Sequence, residues 1–365
     1  MKKTAKATKA KSPAKKTTKA ATSKSTAKPA SKRSASAKKT GKSAKNPRDF
    51  VAGAQDIIDA IPLEKLVDGI RKMMLKKNAN IDAEDIQKFE EKVNEIWNFT
   101  PTVCVFGQTG AGKSSLCNSI FGENKFDISA YKACTLNRQE DHAKVHGDKK
   151  IRIIDMPGVG ESESKDAQYQ SLYEDVLMEA DLALWVLKTD SRAYASDIKV
   201  WNNLKDIIKK TEIPVLFVLA QADKIDPIRE WNAIENLPGQ EQTGNLLLKK
   251  KEVEKDFGIQ SLKIIPVSSI TRYNLKKLVL QIILALPKEK KVAFFNAATP
   301  EVRTNEASKD AEKGFWEGVG DWCKEAANKV WDFVNENKRE ILSWLLAVGE
   351  EVVEQKKRSG SGRRR

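Results

Sequence analysis

The chain contains 365 residues, with 65 Lys or Arg, 50 Asp or Glu and a formal net charge of +15. Its only histidines are His142 and His146, which argues against a histidine-centred triad or metal cluster, and its four cysteines lack the CxxC spacing of zinc sites. No apolar run reaches the roughly 20 residues of a membrane-spanning helix. These features predict a cytoplasmic protein that associates with membrane or nucleic acid, if at all, through its surface.

The excess of positive charge lies in the first 48 residues. Segment 1–48 holds 17 Lys and Arg and no acidic residue, which leaves 48 basic residues to balance all 50 acidic ones. Built almost wholly from Lys, Ala, Ser, Thr and Pro, it lacks the apolar side chains that would stabilise a fold, so we expect disorder. Its composition resembles that of linker-histone tails. It is either an attachment segment for nucleic acid or anionic lipid, or a solubilising leader.

Residues 49–98 form the next segment. Their apolar residues recur at helical spacing, which predicts two or three amphipathic helices interrupted near Pro62 and Asn78. We expect this segment to be a separate helical region ahead of the main domain.

Residues 99–287 alternate short apolar strands with helical stretches, a pattern typical of an α/β domain. The expected fold is a mostly parallel sheet with helices on both faces. The turn HGDKK predicts an antiparallel hairpin of the second and third strands. The predicted strands are 102–107, 137–145, 150–155, 182–188, 213–219 and 263–267.

The most specific motif follows the first strand, in the stretch VFGQTGAGKSS. Gly107, four further residues and then Gly112-Lys113-Ser114 give the Walker A spacing between a strand and a helix. Glycines let backbone N–H groups face phosphate oxygens, Lys113 can reach the β- and γ-phosphates, and Ser114 can offer its hydroxyl to Mg²⁺. The predicted nucleotide contacts are Gly107, Gln108, Thr109, Gly110, Ala111, Gly112, Lys113, Ser114 and Ser115.

A second motif, DMPG, ends the third strand. Asp155 is expected to hold Mg²⁺, and the N–H of Gly158 is expected to contact the γ-phosphate. Between the two motifs lies Thr135, just before the second strand. Its hydroxyl would bind Mg²⁺ and close a switch loop over the triphosphate, or it is an ordinary loop residue.

In their order and spacing, these residues resemble the small GTPases, most closely the bacterial Era-like group called HSR1-related or 50S ribosome-binding GTPases. The resemblance covers about residues 99–287. It implies that the chain binds GTP and GDP and hydrolyses GTP with Mg²⁺ as cofactor. It also implies that Ser268 and Ser269 close the guanine pocket, at the position of the family's Ser-Ala-Lys motif.

One departure from the family concerns hydrolysis. Many small GTPases carry a glutamine after the DxxG glycine to orient the attacking water, whereas this chain has Val159. We expect slow intrinsic hydrolysis, with the water positioned by another group; Glu161 and Ser162 are candidates. Because GTPases that activate by pairing their G domains also replace this glutamine, a nucleotide-dependent homodimer is expected as one route to activation.

A second departure concerns the base. The family motif Asn-Lys-x-Asp becomes Ala220-Gln221-Ala222-Asp223. The Asp223 carboxylate can accept two hydrogen bonds from guanine, although an Asp here can also be a helix cap. The missing Asn would have braced the loop, and the stem of Gln221 is expected to cover part of the base. Guanine selectivity is therefore expected to survive in weaker form.

The C-terminal part, residues 288–365, has a different composition from the α/β region. Residues 288–310 are predicted to be a linker, residues 311–356 a Trp-rich amphipathic helical segment, and residues 357–365 a basic tip. The Trp-rich segment either contacts a membrane surface or partner, or packs on the helices of 49–98.

Together these features predict a GTPase that acts as a nucleotide-controlled switch. Two alternatives stay open: a nucleotide-binding scaffold that hydrolyses little and is tethered through its basic tail, and an ATPase of related fold.

Overall fold

The structure is a computed structural model, and it describes residues 63–77, 80–122, 139–145, 149–156, 163–192, 194–337, 339–341 and 343–344. For residues 63–64, 66, 139–145, 149–150 and 163–169 it describes the backbone only. The basic segment 1–48 and the tip 357–365 lie outside the described residues.

A six-stranded sheet forms the centre of the described chain, with the strand order β2-β3-β1-β4-β5-β6. Only β2 runs antiparallel to its neighbour. The expected α/β class, the mostly parallel sheet and the antiparallel hairpin are therefore confirmed. The strands are β1 (Thr102–Phe106), β2 (Gln139–Val145), β3 (Lys149–Asp155), β4 (Leu182–Lys188), β5 (Val215–Ala220) and β6 (Ile264–Pro266).

Ten α-helices lie within the described residues. They are α1 (Leu63–Lys76), α2 (Ala83–Trp97), α3 (Lys113–Phe121), α4 (Glu163–Glu179), α5 (Ala195–Thr211), α6 (Gln240–Phe257), α7 (Leu275–Ala285), α8 (Lys288–Ala297), α9 (Asn305–Ala326) and α10 (Asn328–Glu336).

The central strands are buried on both faces, which explains their continuous apolar sequences. Along β1, Val103 and Val105 pack into one core with α3 and α7, whereas Cys104 and Phe106 pack into the other with α4, α5 and α6. Trp185 of β4 is fully buried in this second core. Burial of the central strands fixes their ends, and with them the loops at the carboxyl edge of the sheet.

Helices α1, α2, α9 and α10, together with Trp344, form a third core that we call the helical lobe. Phe315, Val319, Val330 and Phe333 are buried inside it rather than exposed on a free apolar face. A Cβ atom added at Gly69 of α1 would lie 2.0 Å from the Trp344 ring, so the two ends of the described chain pack closely. The described part of the Trp-rich segment therefore packs on the N-terminal helices.

The segment expected to be a linker, 288–310, instead contains α8 and the start of α9. Phe294 packs edge to face on Phe121 at the end of α3, with ring centroids 5.5 Å apart. Lys290 of α8 also forms an ion pair with Asp181, the residue before β4. The charged run KEKK begins a helix whose second half is buried, and this helix joins the α/β domain to the helical lobe.

In the part of the chain that the structure describes, no helix combines the length and the apolarity needed to cross a bilayer.

Candidate nucleotide-binding site

The loop Gly107–Ser114, which we call the phosphate loop, joins β1 to α3. Two of its glycines, Gly112 and Gly107, show why a residue with a side chain would not fit here. Gly112 has a φ of 103°, a region that L side chains rarely adopt. Gly107 has a φ of 139°, and a Cβ atom there would lie 2.2 Å from the carbonyl oxygen of Val186 in β4. Any side chain at Gly107 would push the loop off the sheet.

Lys113, the first residue of α3, reaches back over the phosphate loop. Its Nζ donates to the carbonyl oxygens of Gly107 at 3.1 Å and Gln108 at 3.4 Å. The same Nζ lies 3.7 Å from Oδ1 of Asp155, at the end of β3. The register that pairs Asp155 with Val105 of β1 brings the two motifs together. The structure thus places the Walker A lysine beside the DMPG aspartate.

Asp197, which the sequence did not single out, supports the phosphate loop from below. Asp197 lies in the first turn of α5, and only 1% of its surface is exposed to solvent. Oδ2 accepts from Nε2 of Gln108 at 2.7 Å, and Oδ1 accepts from the indole Nε1 of Trp185 at 3.0 Å. Burial raises the pKa of the Asp197 carboxyl above its usual range, and the hydrogen bonds from Trp185 and Gln108 offset part of this rise.

The second half of the site lies at the carboxyl end of β5. Residues Gln221–Lys224 begin there, and we call them the base-reading loop after the role that the sequence predicts for Asp223. Asp223 lies in the 3-10 turn Ala222–Lys224. The carbonyl oxygen of Ala220 accepts from both N and Oγ1 of Thr189, at 2.9 and 2.6 Å. The N–H of Ala222 donates to the carbonyl oxygen of Val267 at 2.9 Å, which ties the loop to the segment after β6.

Ser268 and Ser269 follow β6 and lie beside the base-reading loop. Ser268 is fully buried and its Oγ accepts from the N–H of Thr271 at 3.1 Å. The carbonyl oxygen of Ser269 accepts from Oγ of Ser119 in α3 at 3.4 Å. Asn236 holds this turn from outside, donating to the carbonyl oxygen of Thr271 at 2.6 Å. The sequence carried no signal for Asn236, because it lies in an irregular stretch.

The side chain of Gln221 contacts the phosphate loop. Its Nε2 donates to the carbonyl oxygen of Gly110 at 3.2 Å and lies 3.5 Å from that of Ala111. That the stem of Gln221 covers part of the base stays a prediction. The amide contact adds a bridge between the two halves of the site that the sequence did not indicate.

Two predicted site residues, Thr135 and Gly158, lie outside the described residues, and so do Val159 and the two candidates for positioning the water, Glu161 and Ser162.

The geometry defines the class of protein. A glycine-rich turn that leads from the first parallel strand into a helix, with its lysine beside an aspartate of the neighbouring strand, is the arrangement of P-loop nucleotide-binding proteins. The site lies at the carboxyl edge of the sheet, where open α/β sheets bind their ligands.

Comparison with known proteins narrows the class. Residues 102–221 match the family described as 50S ribosome-binding GTPase. The chain is 30% identical over 234 residues to uncharacterized protein YkfA of Escherichia coli (strain K12), covering 64% of this chain and 79% of YkfA. It is 26% identical over 189 residues to GTPase Era of Aquifex aeolicus (strain VF5), covering 51% of this chain and 56% of Era. An Aquifex aeolicus Era structure bound to GDP.AlF4- has a TM-score of 0.38 and 24% identity, covering 52% of this chain and 57% of that one.

The chain belongs to this 50S ribosome-binding, Era-like family of P-loop GTPases, and it is a GTP hydrolase. It spans about half the length of Era, so the likeness to Era concerns the GTPase domain.

Proposed function

We propose that this GTPase is a slow, nucleotide-controlled switch that binds GTP together with Mg²⁺ and is accelerated by a partner or by a second copy of its G domain. The observation that carries the proposal is the position of Lys113. Its ammonium group is held at the phosphate loop by two carbonyl oxygens and lies 3.7 Å from Asp155.

In this proposal the chain's own groups bind and orient the triphosphate. The N–H groups of Gly107–Ser114 and the positive end of α3 attract the phosphate oxygens. Lys113 neutralises charge on the β- and γ-phosphates, and it exchanges its bonds to the loop carbonyls for phosphate oxygens. Gly158 would contact the γ-phosphate through its N–H, and Thr135 would respond to the same phosphate. Asp223, Ser268 and Ser269 would recognise the guanine.

The residues near Lys113 fit a magnesium ion. Mg²⁺ prefers oxygen ligands and commonly uses one or two carboxylates or hydroxyls beside substrate phosphates. Ser114 follows Lys113 in the first turn of α3, and Oδ1 of Asp155 lies 3.7 Å from the Lys113 ammonium. Ser114, Asp155 and Thr135 would hold the ion, which supplies charge neutralisation on the phosphates when bound.

The switch is proposed to be slow because Val159 cannot hydrogen-bond to the attacking water. The same residue favours the second candidate function, a nucleotide-binding scaffold with little hydrolysis. In both cases the basic segment 1–48 would attach the protein to a polyanion, nucleic acid or an anionic lipid surface.

Single-turnover hydrolysis of GTP and of ATP tests the proposal. The wild type should hydrolyse GTP and leave ATP nearly untouched, and Lys113→Ala should lose binding or turnover, because it removes the ammonium that meets the phosphates. Lys255→Ala, at an exposed position of α6, is the matched control and should behave as the wild type. Undiminished GTP hydrolysis by Lys113→Ala would contradict the assignment of the phosphate loop. Tight GTP binding with no turnover would favour the scaffold.

A further inference from the structure

We propose that Gln221 braces the base-reading loop against the phosphate loop and so takes over the role of the asparagine that this chain lacks at Ala220. This inference rests on the proposed GTP binding at the site. It assigns Gln221 as a positioning residue, acting through the two loops rather than by touching the base.

The backbone of Gln221 is unusual. It has a φ of 59° and a ψ of 39°, in the left-handed region that residues other than glycine and asparagine seldom occupy. Such conformations persist where the surroundings enforce them, and they cluster at functional sites. In this conformation the chain leaves β5 while the side chain of Gln221 lies against Gly110 and Ala111.

The partners of the Gln221 amide are chemically matched to its two ends. Nε2 faces two acceptors, the carbonyl oxygens of Gly110 at 3.2 Å and Ala111 at 3.5 Å. Oε1 faces a donor and accepts from Nζ of Lys224 at 2.9 Å. The reverse orientation would set an oxygen against carbonyls and an NH₂ group against an ammonium, so the environment selects one orientation. A carboxylate at this position could satisfy Lys224 but would repel the phosphate loop.

The neighbouring position cannot provide the brace. Ala220 is 2% exposed, has no polar side-chain atom, and its carbonyl oxygen is already bound twice by Thr189. The phosphate loop passes close to both residues. A Cβ atom at Gly112 would lie 3.7 Å from Cβ of Ala220 and 3.8 Å from Nε2 of Gln221. With alanine at 220, Gln221 is the side chain that joins the two loops among the residues the structure describes.

The brace has a distinctive consequence for binding. A guanine nucleotide contacts both loops, so its affinity depends on how well they are held relative to each other. Inorganic tripolyphosphate contacts the phosphate loop alone, so its affinity should not depend on the brace. A substitution that merely damaged the phosphate loop would weaken both ligands.

Four variants test the inference. Gln221→Met keeps the length and removes the donor, Gln221→Glu turns the donor into a repelling oxygen, and Gln221→Lys restores a donor. Gln260→Glu, at an exposed position between α6 and β6, repeats the amide-to-carboxylate change away from the site. Affinities for GDP and GTP would be measured with a fluorescent GDP analogue, and the affinity for tripolyphosphate by competition.

We expect Gln221→Met and Gln221→Glu to bind GDP about tenfold more weakly, the size of one or two lost hydrogen bonds, with tripolyphosphate unchanged. Gln221→Lys should recover only part of the loss, because its ammonium can donate to the carbonyl oxygen of Gly110 but also faces the ammonium of Lys224. Gln260→Glu should match the wild type. Wild-type GDP affinity in both Met and Glu variants would overturn the inference, as would an equal loss of tripolyphosphate. A wild-type protein that binds neither GDP nor GTP would instead contradict the proposed function.

Discussion

The indole Nε1 of Trp185 donates to Oδ1 of Asp197 at 3.0 Å, in the layer directly beneath the phosphate loop. The other oxygen of Asp197 accepts from Gln108 at 2.7 Å, so a single buried carboxylate joins a core strand to the second residue of the phosphate loop. Hydrogen bonds to a buried charged group are stronger than those between neutral groups. We infer that this network fixes the height of the phosphate loop above the sheet.

Asp197 should also contribute a pH dependence to stability. Burial raises the pKa of its carboxyl above the ordinary value of 3.8. In the unfolded chain the carboxyl has its ordinary pKa, and in the folded state its pKa is higher. As pH rises from the first pKa to the second, the unfolded chain loses this proton before the folded state does. The folded state then binds more protons than the unfolded state, so this group lowers the free energy of unfolding as pH increases.

Asp197→Asn removes this titration, and a flipped Gln108 amide can still satisfy the new side chain. The variant should therefore gain stability relative to the wild type as pH rises from about 4 toward neutrality. Denaturant unfolding of both proteins across this range measures the difference, in which the other titrating groups cancel. A difference that stays constant with pH would show that Asp197 does not titrate in this window.

The packing of Gly69 against Trp344 predicts a second effect on stability. Gly69→Ala should lower the free energy of unfolding by about 1–3 kcal/mol, because its methyl group would overlap a ring that lies 2.0 Å away. Gly244→Ala in α6 is the matched control, since nothing lies within 4 Å of the added Cβ atom. The control should gain about 0.5–1 kcal/mol from helix propensity. If both variants gained stability, the packing between α1 and Trp344 would be refuted.

The sequence predicted the sheet well because the central strands β1, β4 and β5 are short apolar runs, and because the turn HGDKK marks the hairpin that joins the polar strand β2 to β3. Every predicted strand boundary lies within two residues of the observed one, from β1 to β6. The phosphate loop and Asp155 were also predictable, because their chemistry needs fixed residue types at fixed spacing.

The supporting contacts could not be predicted in the same way. Gln108 meets Asp197 across 89 residues and Gln221 meets Gly110 across 111, so no local pattern records either pair. The helix α8 was missed for a different reason: its four leading charged residues resemble a linker, whereas Val292, Phe294 and Phe295 are buried.

The basic segment 1–48 should carry most of the salt-sensitive binding to polyanions. Its deletion should abolish most binding to DNA, RNA or anionic vesicles while leaving GTP affinity unchanged, because the remaining chain has nearly balanced charge. For the full chain on duplex DNA, log K should fall with log salt by about 0.9 per phosphate contacted. Equal polyanion binding by the truncated and full-length proteins would exclude this role for the segment.

If a second copy of the G domain positions the water that Val159 cannot hold, GTP hydrolysis should depend on protein concentration. The rate per molecule should rise over about a hundredfold range of concentration, since a dimer forms by mass action. Light scattering with a non-hydrolysable GTP analogue should show dimers that are absent with GDP. A flat rate, with monomers in both nucleotide states, would leave activation to a different partner.

The last prediction concerns the base. If Asp223 reads guanine, Asp223→Asn replaces one of the two carboxylate acceptors by an NH₂ donor opposite the 2-amino group of guanine and should weaken GTP by about 10- to 100-fold, the range for hydrogen bonds to a charged group. The same variant should gain affinity for xanthosine triphosphate, whose ring offers a carbonyl oxygen where guanine has its amine. Asp256→Asn, at an exposed position of α6, is the control and should change neither affinity. Titrating the three proteins with GTP, XTP and ATP decides the matter, because a base-reading carboxylate must shift preference between GTP and XTP while ATP stays a poor ligand. Equal affinity of the wild type for ATP and GTP would mean that Asp223 does not read the base.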